Sequence, residues 1–232
     1  MHAPESYIEG QFLLIDKPLT WTSHDVVNKI RYRLTRYCQV KKLKVGHGGT
    51  LDPLATGLLL IATGKNTKML QDLIDADKEY TGTLKLGATT ASYDGETPEE
   101  NIQSIDHITE NMIRVAFEKF TGDQQQRPPA HSAIKKDGEP MYIKAREGTA
   151  PEMEARSIRI IDLEITHIAL PEVHFRVACS KGTYIRSLAH DIGQELGCGA
   201  WLSSLVRTRI GSFHVQDAMQ LETFLATVNL PQ

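Results

Sequence analysis

The sequence predicts an α+β fold, a mixed and mostly antiparallel sheet with flanking helices, and three observations carry that expectation. Two-residue alternation of apolar and polar side chains recurs at residues 80–86, 157–168 and 173–180. The last two stretches are separated by Ala169-Leu170-Pro171-Glu172, the composition of a hairpin turn. Helical periodicity is confined to scattered segments, and the hydrophobic fraction of 41% over 232 residues is enough for one large domain, or for one domain with a small appendage.

The elements follow in order. Residues 12–15, FLLI, make a short apolar strand closed by Asp16-Lys17-Pro18. Ser23 stands where a helix cap belongs. Behind it Val26, Val27, Ile30 and Leu34 recur at helical spacing, while Lys29, Arg31, Arg33 and Arg36 occupy the other faces, which describes a basic amphipathic helix. Residues 41–49 read as a basic, glycine-rich connection. The spacing predicts a second helix over 66–75 with Met69, Leu70, Leu73 and Ile74 inward. Tyr80, Gly82, Leu84 and Leu86 alternate with Thr81, Thr83 and Lys85 as in a half-buried strand that Gly87 stops. After a polar, turn-rich stretch, Thr109 caps a helix that buries Met112, Ile113, Ala116, Phe117 and Phe120 and ends at Gly122. Residues 124–134, QQQRPPAHSAI, carry two prolines and no periodicity and read as a surface strap. Lys181-Gly182 breaks the second hairpin strand. A helix follows, with Ile185, Leu188, Ala189, Ile192 and Leu196 on one stripe and Gly197 as its stop. Met219, Leu221, Phe224 and Leu225 suggest a closing helix.

Composition narrows the function classes. No apolar run reaches the length of a membrane span, and the first ten residues, MHAPESYIEG, have neither the basic nor the apolar region of a signal peptide. Cys38, Cys179 and Cys198 form no disulfide framework and no zinc-ligand spacing, so the cytoplasm is the expected location. Net charge is −3, yet eight basic residues between Lys17 and Lys44 face the single acid Asp25. Such a polarised chain can steer a polyanion despite its total charge, although a solvated helix face would look the same.

Residues 46–57, GHGGTLDPLATG, place one carboxylate, Asp52, between glycines and small apolar residues. Asp before Pro53 is a good helix cap, and that structural reading stands beside a functional one. A carboxylate is ionised near neutrality and needs no partner base to act as a nucleophile, and the glycines open the backbone to a bulky substrate. Glycosidases pair two carboxylates because one must protonate the leaving group. A lone carboxylate instead suits a leaving group that stays bound and returns.

That stretch closely resembles the catalytic signature of the TruB-type pseudouridine synthases. The resemblance continues in family order through FLLIDKP with Thr22-Ser23, DKEYTGTLKLGATT, QRPPAHSAIKKDG, CSKGTYIRSLAHDIG and LVRTRIGSF, covering residues 12–213. It implies the pseudouridine synthase fold, with its sheet around a central RNA-binding cleft. It also implies an enzyme that isomerises uridine to pseudouridine in the T-loop of tRNA, at position 55, with neither metal nor organic cofactor. Asp52 matches the catalytic aspartate, Tyr80 the tyrosine that stacks on the target base, and Arg186 the arginine that pairs with the aspartate. His47 matches the histidine near the flipped nucleotide, Lys17 and Pro18 a motif beside the cleft, and Leu205 a segment that lines it. Taken without the family, Tyr80 also fits a core position, Arg186 a surface arginine and His47 a loop histidine with no role. Tyr184, beside Arg186, and the run Lys41, Lys42 and Lys44 are further candidates for RNA contact, with Lys135, Lys136, Arg207 and Arg209 as a second basic group. His131 stands where the family often has tyrosine.

The catalytic domain is expected over 1–213 and a short closing segment over 214–232, too short for the PUA-type RNA-binding domain that many relatives append. The expected partner is tRNA through its T-arm, with no membrane and no guide RNA, and a monomer is the default. Pseudouridylation of another structured RNA, or RNA binding and folding with minor catalysis, are the alternatives.

Overall fold

The computed structural model describes residues 3–132, 135–136, 139–147, 149 and 153–228. In chain order the elements are α1 (Pro4–Glu9), β1 (Phe12–Lys17), α2 (Ser23–Tyr37), β2 (Val45–His47), β3 (Ala55–Thr63), α3 (Leu70–Asp75) and β4 (Lys78–Leu86). Next come β5 (Thr89–Thr90), β6 (Glu99–Glu100), α4 (Glu110–Lys119), β7 (Gly122–Gln126), β8 (Lys135–Lys136), β9 (Glu139–Pro140), α5 (Met141–Arg146), β10 (Arg156–Ala169) and β11 (Glu172–Cys179). The chain continues through α6 (Ile185–Leu196), β12 (Ala200–Ile210), β13 (Phe213–His214), β14 (Met219–Gln220) and α7 (Leu221–Thr227). The fold is α+β as expected: the pairs β1–β3, β2–β3, β7–β10, β10–β11 and β12–β13 are antiparallel, while β1–β14 and β3–β12 are parallel. No helix among the described residues is long and apolar enough to cross a membrane.

The chain divides into two compact units, residues 1–80 with 205–232, and residues 81–204. In the first, β3 is flanked by β1 and β12 and is buried along almost its whole length, which is why Leu58 to Ala62 read as an unbroken apolar run. One face of the sheet packs Leu59 and Ile61 against the α2 stripe Val26, Val27, Ile30 and Leu34, closed by Leu221, Phe224 and Leu225 of α7. Each such fully buried side chain contributes about 1.5–3 kcal/mol relative to exposure, so the expected closing helix is a working part of this core. Met219 lies outside it, 40% exposed on β14. The other face holds Leu58, Leu60 and Ile210, with Phe12, Leu14 and Leu73 against them.

Gly57 is the point of closest approach in this unit. Its φ is +94°, and a Cβ there would lie 2.4 Å from the Arg207 carbonyl oxygen, so only glycine lets β3 pair in parallel with β12 at this register.

In the second unit β11 pairs with β10 and β10 with β7, and the Ser203 and Ser204 hydroxyls of β12 bond Thr83 of β4. The β10–β11 hairpin turns at the expected residues. α4 is capped by Thr109, whose hydroxyl accepts from the Met112 N–H, and it buries Ile113, Ala116 and Phe117 but leaves Met112 exposed. α6 ends at Gly197 in the left-handed conformation, φ +74°, as its sequence predicts.

Four local expectations are corrected. The cap of α2 is Thr22, in a reciprocal box with Asp25, and Ser23 is the first helical residue. Asp52 caps no helix: residues 52–55 make a turn, with the Ala55 N–H donating to the Asp52 carbonyl, and the chain enters β3. Residues 66–75 form a 3-10 turn followed by the single-turn α3, with Met69 and Ile74 exposed. The strap begins as strand β7, because Gln124, Gln125 and Gln126 pair with β10, and its last two residues, 133 and 134, lie outside the described residues.

Candidate active site

Asp52 is half-buried on a loop whose backbone has no slack. Every peptide carbonyl of residues 49–53 accepts a hydrogen bond. Arg207 Nη2 donates to the Gly49 oxygen at 3.0 Å and Nη1 to the Thr50 oxygen at 3.3 Å. The Ser23 hydroxyl donates to the Leu51 oxygen at 3.0 Å and accepts the Leu51 N–H at 2.8 Å. The Asp52 oxygen takes the Ala55 N–H, and the Pro53 oxygen takes the Thr20 N–H at 2.8 Å and the Lys17 ammonium at 3.3 Å. Capping by Thr22 leaves the Ser23 hydroxyl, inside the first turn of α2, available for this clamp. Such satisfaction fixes the aspartate against the scaffold before any substrate arrives.

Two buried cations lie beneath the loop. Lys17 is fully buried, and its ammonium also donates to the carbonyls of Pro18 and Trp21, at 2.9 and 2.6 Å. The resemblance puts Lys17 in a motif beside the cleft; its ammonium lies under the loop, on backbone oxygens. Burial pulls its pKa down to about 8, with the Asp52 carboxylate working in the opposite direction. Arg207 is 1% exposed, and its Nε donates to the Leu58 oxygen at 2.8 Å. Its expected place among surface phosphate contacts is therefore corrected: its N–H groups serve the loop, β3 and the Tyr80 side chain, to which it is hydrogen-bonded. Burial lowers its pKa, and the Tyr80 hydroxyl and the Asp52 carboxylate oppose that. A carboxylate, a buried phenol and two cations thus form one electrostatic group, drawn from β1, the loop, β4 and β12.

His47 ends β2, half-buried, with Nδ1 buried and lacking a hydrogen-bond partner. Burial first, and then the Arg207 charge, hold its imidazole below the usual pKa, while a bond with the Gly49 backbone works against them. Leu205 sits opposite Ala55 in the parallel β3–β12 pair, level with the end of the loop, and is half-buried. Lys41, Lys42 and Lys44 are exposed and, with Arg31 and Thr67, line an open groove of about 430 Å³ that reaches Gly46. Not every basic residue of α2 faces solvent freely: Arg31 donates to the Val45 carbonyl and Arg33 to the Leu225 carbonyl. The side chains of Lys135 and Lys136 lie outside the described residues.

Arg186 and Tyr184 belong to the second unit. Arg186 is 4% exposed in the first turn of α6. It donates to the Ser92 carbonyl at 3.0 Å and the His131 carbonyl at 2.9 Å, and its Nε is 3.7 Å from the carboxylate of buried Asp94. Asp94 was not foreseen; its carboxylate also accepts from the Ser92 hydroxyl at 2.6 Å and the Glu96 N–H. Tyr184 is half-buried, with the Arg156 guanidinium 4.7 Å from its ring centroid.

The strap explains how α6 starts. The Gln126 amide accepts the Tyr184 N–H at 2.8 Å and donates to the Tyr184 carbonyl at 3.0 Å, and the Ser187 hydroxyl donates to the Arg127 carbonyl. His131 serves Arg186 through its backbone, so tyrosine in its place would offer the same acceptor. Gln126 is buried, and no local pattern in the sequence marks it.

Among the described residues no group of three or more His, Cys, Asp or Glu side chains is arranged to hold a metal ion.

A family model described as TruB family pseudouridylate synthase (N terminal domain) matches residues 35–185, and one described as tRNA pseudouridylate synthase B C-terminal domain matches residues 186–231. A protein named tRNA pseudouridine synthase B, from Flavobacterium johnsoniae, is 53% identical over 222 residues, which cover 95% of this chain and 97% of that one. Among solved structures, a chain in the crystal structure of a Cbf5-Nop10-Gar1 complex is 31% identical with a TM-score of 0.73, and a chain in the structure of an H/ACA RNP bound to a substrate RNA containing 2'-deoxyuridine is 30% identical with a TM-score of 0.69. Each match covers 97% of this chain but 56% of the longer one. On these matches, which span nearly its whole length, the chain belongs to the TruB family of pseudouridylate synthases.

Proposed function

We propose that this chain isomerises uridine to pseudouridine in the T-loop of tRNA, at position 55, with Asp52 as its catalytic group. The observation that carries this reading is the Asp52 loop, where one half-exposed carboxylate sits on a backbone whose carbonyls all accept hydrogen bonds, above two buried cations. The names of its close relatives, tRNA pseudouridine synthase B, point to the same substrate.

The target uridine must leave its stack before its C1′, C5 and C6 can be reached. Tyr80 then offers a ring face to the pyrimidine, and His47 and Leu205 flank the nucleotide. The N1–C1′ bond breaks, the uracil turns, and C5 bonds to C1′. The C5 proton leaves and N1 gains one, so product and substrate have the same atoms. Attack of Asp52 on C6 and action at the sugar both begin from the same carboxylate oxygen, which needs no base to activate it. Arg186 aims Asp52 and balances its charge, and Tyr184 stands beside it. Because the detached base must recombine, a closed and rigid site serves better than an open one. Lys41, Lys42 and Lys44 hold backbone phosphates and leave selection to the shape of the RNA loop.

The catalytic domain runs over 1–213, with 214–232 as the segment that closes its core. The enzyme works as a monomer in the cytoplasm without a guide RNA, and Cys38, Cys179 and Cys198, none of them in a disulfide, accord with a reducing compartment.

The test incubates purified protein with unmodified tRNA and with an isolated T-arm hairpin, and maps pseudouridine by chemical labelling. Product is expected at the T-loop uridine of both. Asp52→Asn should give none while keeping its fold and RNA affinity, because Asp52 caps no helix. Product from that variant would overturn the mechanism, and labelling only in a different RNA would replace the substrate.

A further inference from the structure

α6 carries Arg186 and His190 four residues apart, on one face of the helix. Both meet the same short turn. Its Ser92 carbonyl accepts from Arg186, and its Asp94 carboxylate lies 3.7 Å from the Arg186 Nε. Between these two residues Tyr93 has φ +63°, in the left-handed region that a bulky side chain avoids. Its ring lies flat on the His190 imidazole, with centroids 3.9 Å apart and planes 13° from parallel.

The turn is otherwise tied through its backbone and through Ser92 and Asp94, whose side chains bond each other at 2.6 Å and reach the Thr97 hydroxyl and the Glu96 N–H. The Tyr93 N–H donates to the Thr90 carbonyl at 3.2 Å, its carbonyl accepts the Leu202 N–H at 3.0 Å, and the Thr90 hydroxyl donates to the Asp94 carbonyl at 2.7 Å. These bonds place the turn along the edge of β12. Besides the Arg186 contacts, the Tyr93–His190 stack joins the turn to α6. Burial holds His190 in its neutral form, which suits face-to-face contact with a phenol, and its Nδ1 is buried without a hydrogen-bond partner. Packing of the ring, not a polar contact at Nδ1, is therefore what engages His190.

We propose that the Tyr93–His190 stack is a clasp that holds the Ser92–Asp94 turn in its strained conformation and thereby orients the Arg186 guanidinium. Tyr93 and His190 are then positioning residues for the reaction. The proposal rests on the reading above in which Arg186 aims Asp52. Strain at Tyr93 persists because the stack rewards it. Without the ring the turn relaxes, and the Ser92 carbonyl and Asp94 carboxylate no longer converge on one guanidinium geometry.

The test compares single-turnover rates and T-arm affinity for Tyr93→Gly, Tyr93→Phe, His190→Ala, the double variant Tyr93→Gly/His190→Ala, and Arg186→Ala. Glycine removes the ring and is at ease at this φ, so Tyr93→Gly keeps its melting temperature while its rate falls roughly tenfold at unchanged RNA affinity. Tyr93→Phe retains the ring and the full rate. His190→Ala falls as Tyr93→Gly does, and the double variant falls no further. If Tyr93→Gly did not fold, His190→Ala would give the same reading with the turn's backbone untouched. Rates within twofold of the parent for both Tyr93→Gly and His190→Ala, with Arg186→Ala inactive, would overturn the clasp and leave the reading of Arg186 intact. An active Arg186→Ala would overturn both.

Discussion

Replacing Arg207 with lysine distinguishes a loop anchor from an RNA ligand. The guanidinium reaches three carbonyls on two segments, Leu58 at 2.8 Å, Gly49 at 3.0 Å and Thr50 at 3.3 Å, and also bonds Tyr80. An ammonium concentrates its N–H groups on one atom and cannot span the loop and β3 together. With two carbonyls left unsatisfied in the interior at about 1–3 kcal/mol each, Arg207→Lys should lose about 2–6 kcal/mol. For a chain of this length that is a fall in Tm of about 4–24 °C, at about 2–4 °C per kcal/mol. The Asp52 loop then shifts, and a displacement of about 1 Å at a reacting group costs about 100-fold in rate. Circular dichroism melts give the first quantity, and single-turnover pseudouridine formation well below the variant's Tm gives the second. RNA affinity should stay within threefold, because a side chain 1% exposed cannot touch a phosphate. A variant that turns over normally but binds RNA tenfold more weakly would refute the anchor and restore the phosphate contact that the sequence alone suggests.

Two further outcomes are expected. Lys17 has its pKa lowered to about 8 from 10.5, so between those values the folded chain has released a proton that the unfolded chain still holds. Stability should therefore rise with pH, by about 1–2 kcal/mol between pH 7 and 9 and by about 3 kcal/mol across the whole window, as the cost of a buried ammonium is shed. Catalysis should run the other way: a neutral amine has two N–H groups for the carbonyls of Pro18, Trp21 and Pro53, and the rate should fall with a midpoint near pH 8. Calorimetry and single-turnover rates between pH 7 and 9 check both signs, and a flat rate would count against the clamp. Neutralising Lys41, Lys42 and Lys44 together should lower the salt slope of tRNA binding by about 2–3 with little change in the bound-state rate. An unchanged slope would remove this run from the RNA contact surface.

What the sequence conveys about this molecule depends on how far apart in the chain the interacting residues lie. The α6 stripe with Gly197, the β10–β11 hairpin and the alternation from Tyr80 are legible because each is a local pattern with a fixed period. Asp52 is legible as an unusual carboxylate, but its surroundings are not. Asp-Pro reads equally well as a helix start, and only the pairing of β3 with β1 and β12 draws the chain into a strand instead. Ser23 looks like the cap of α2 until Thr22 and Asp25 close their box and release its hydroxyl to Leu51. Arg207 is the clearest case. A charged residue in a strand ordinarily faces water, and nothing near it in sequence reveals that its acceptors lie some 150 residues earlier. Asp94 and Gln126 escape notice for the same reason, since each becomes meaningful only against α6.

The way the Asp52 loop is tied down bears on what can be moved between proteins. The twelve-residue signature looks portable, yet its rigidity is lent by a lysine from the first strand, a serine from the following helix and an arginine contributed near the end of the chain. Grafted alone onto a foreign scaffold, GHGGTLDPLATG would bring the acid and leave its moorings behind, and the transplant should bend where the parent stands firm. Engineering this chemistry elsewhere means transferring those distant anchors together with the signature.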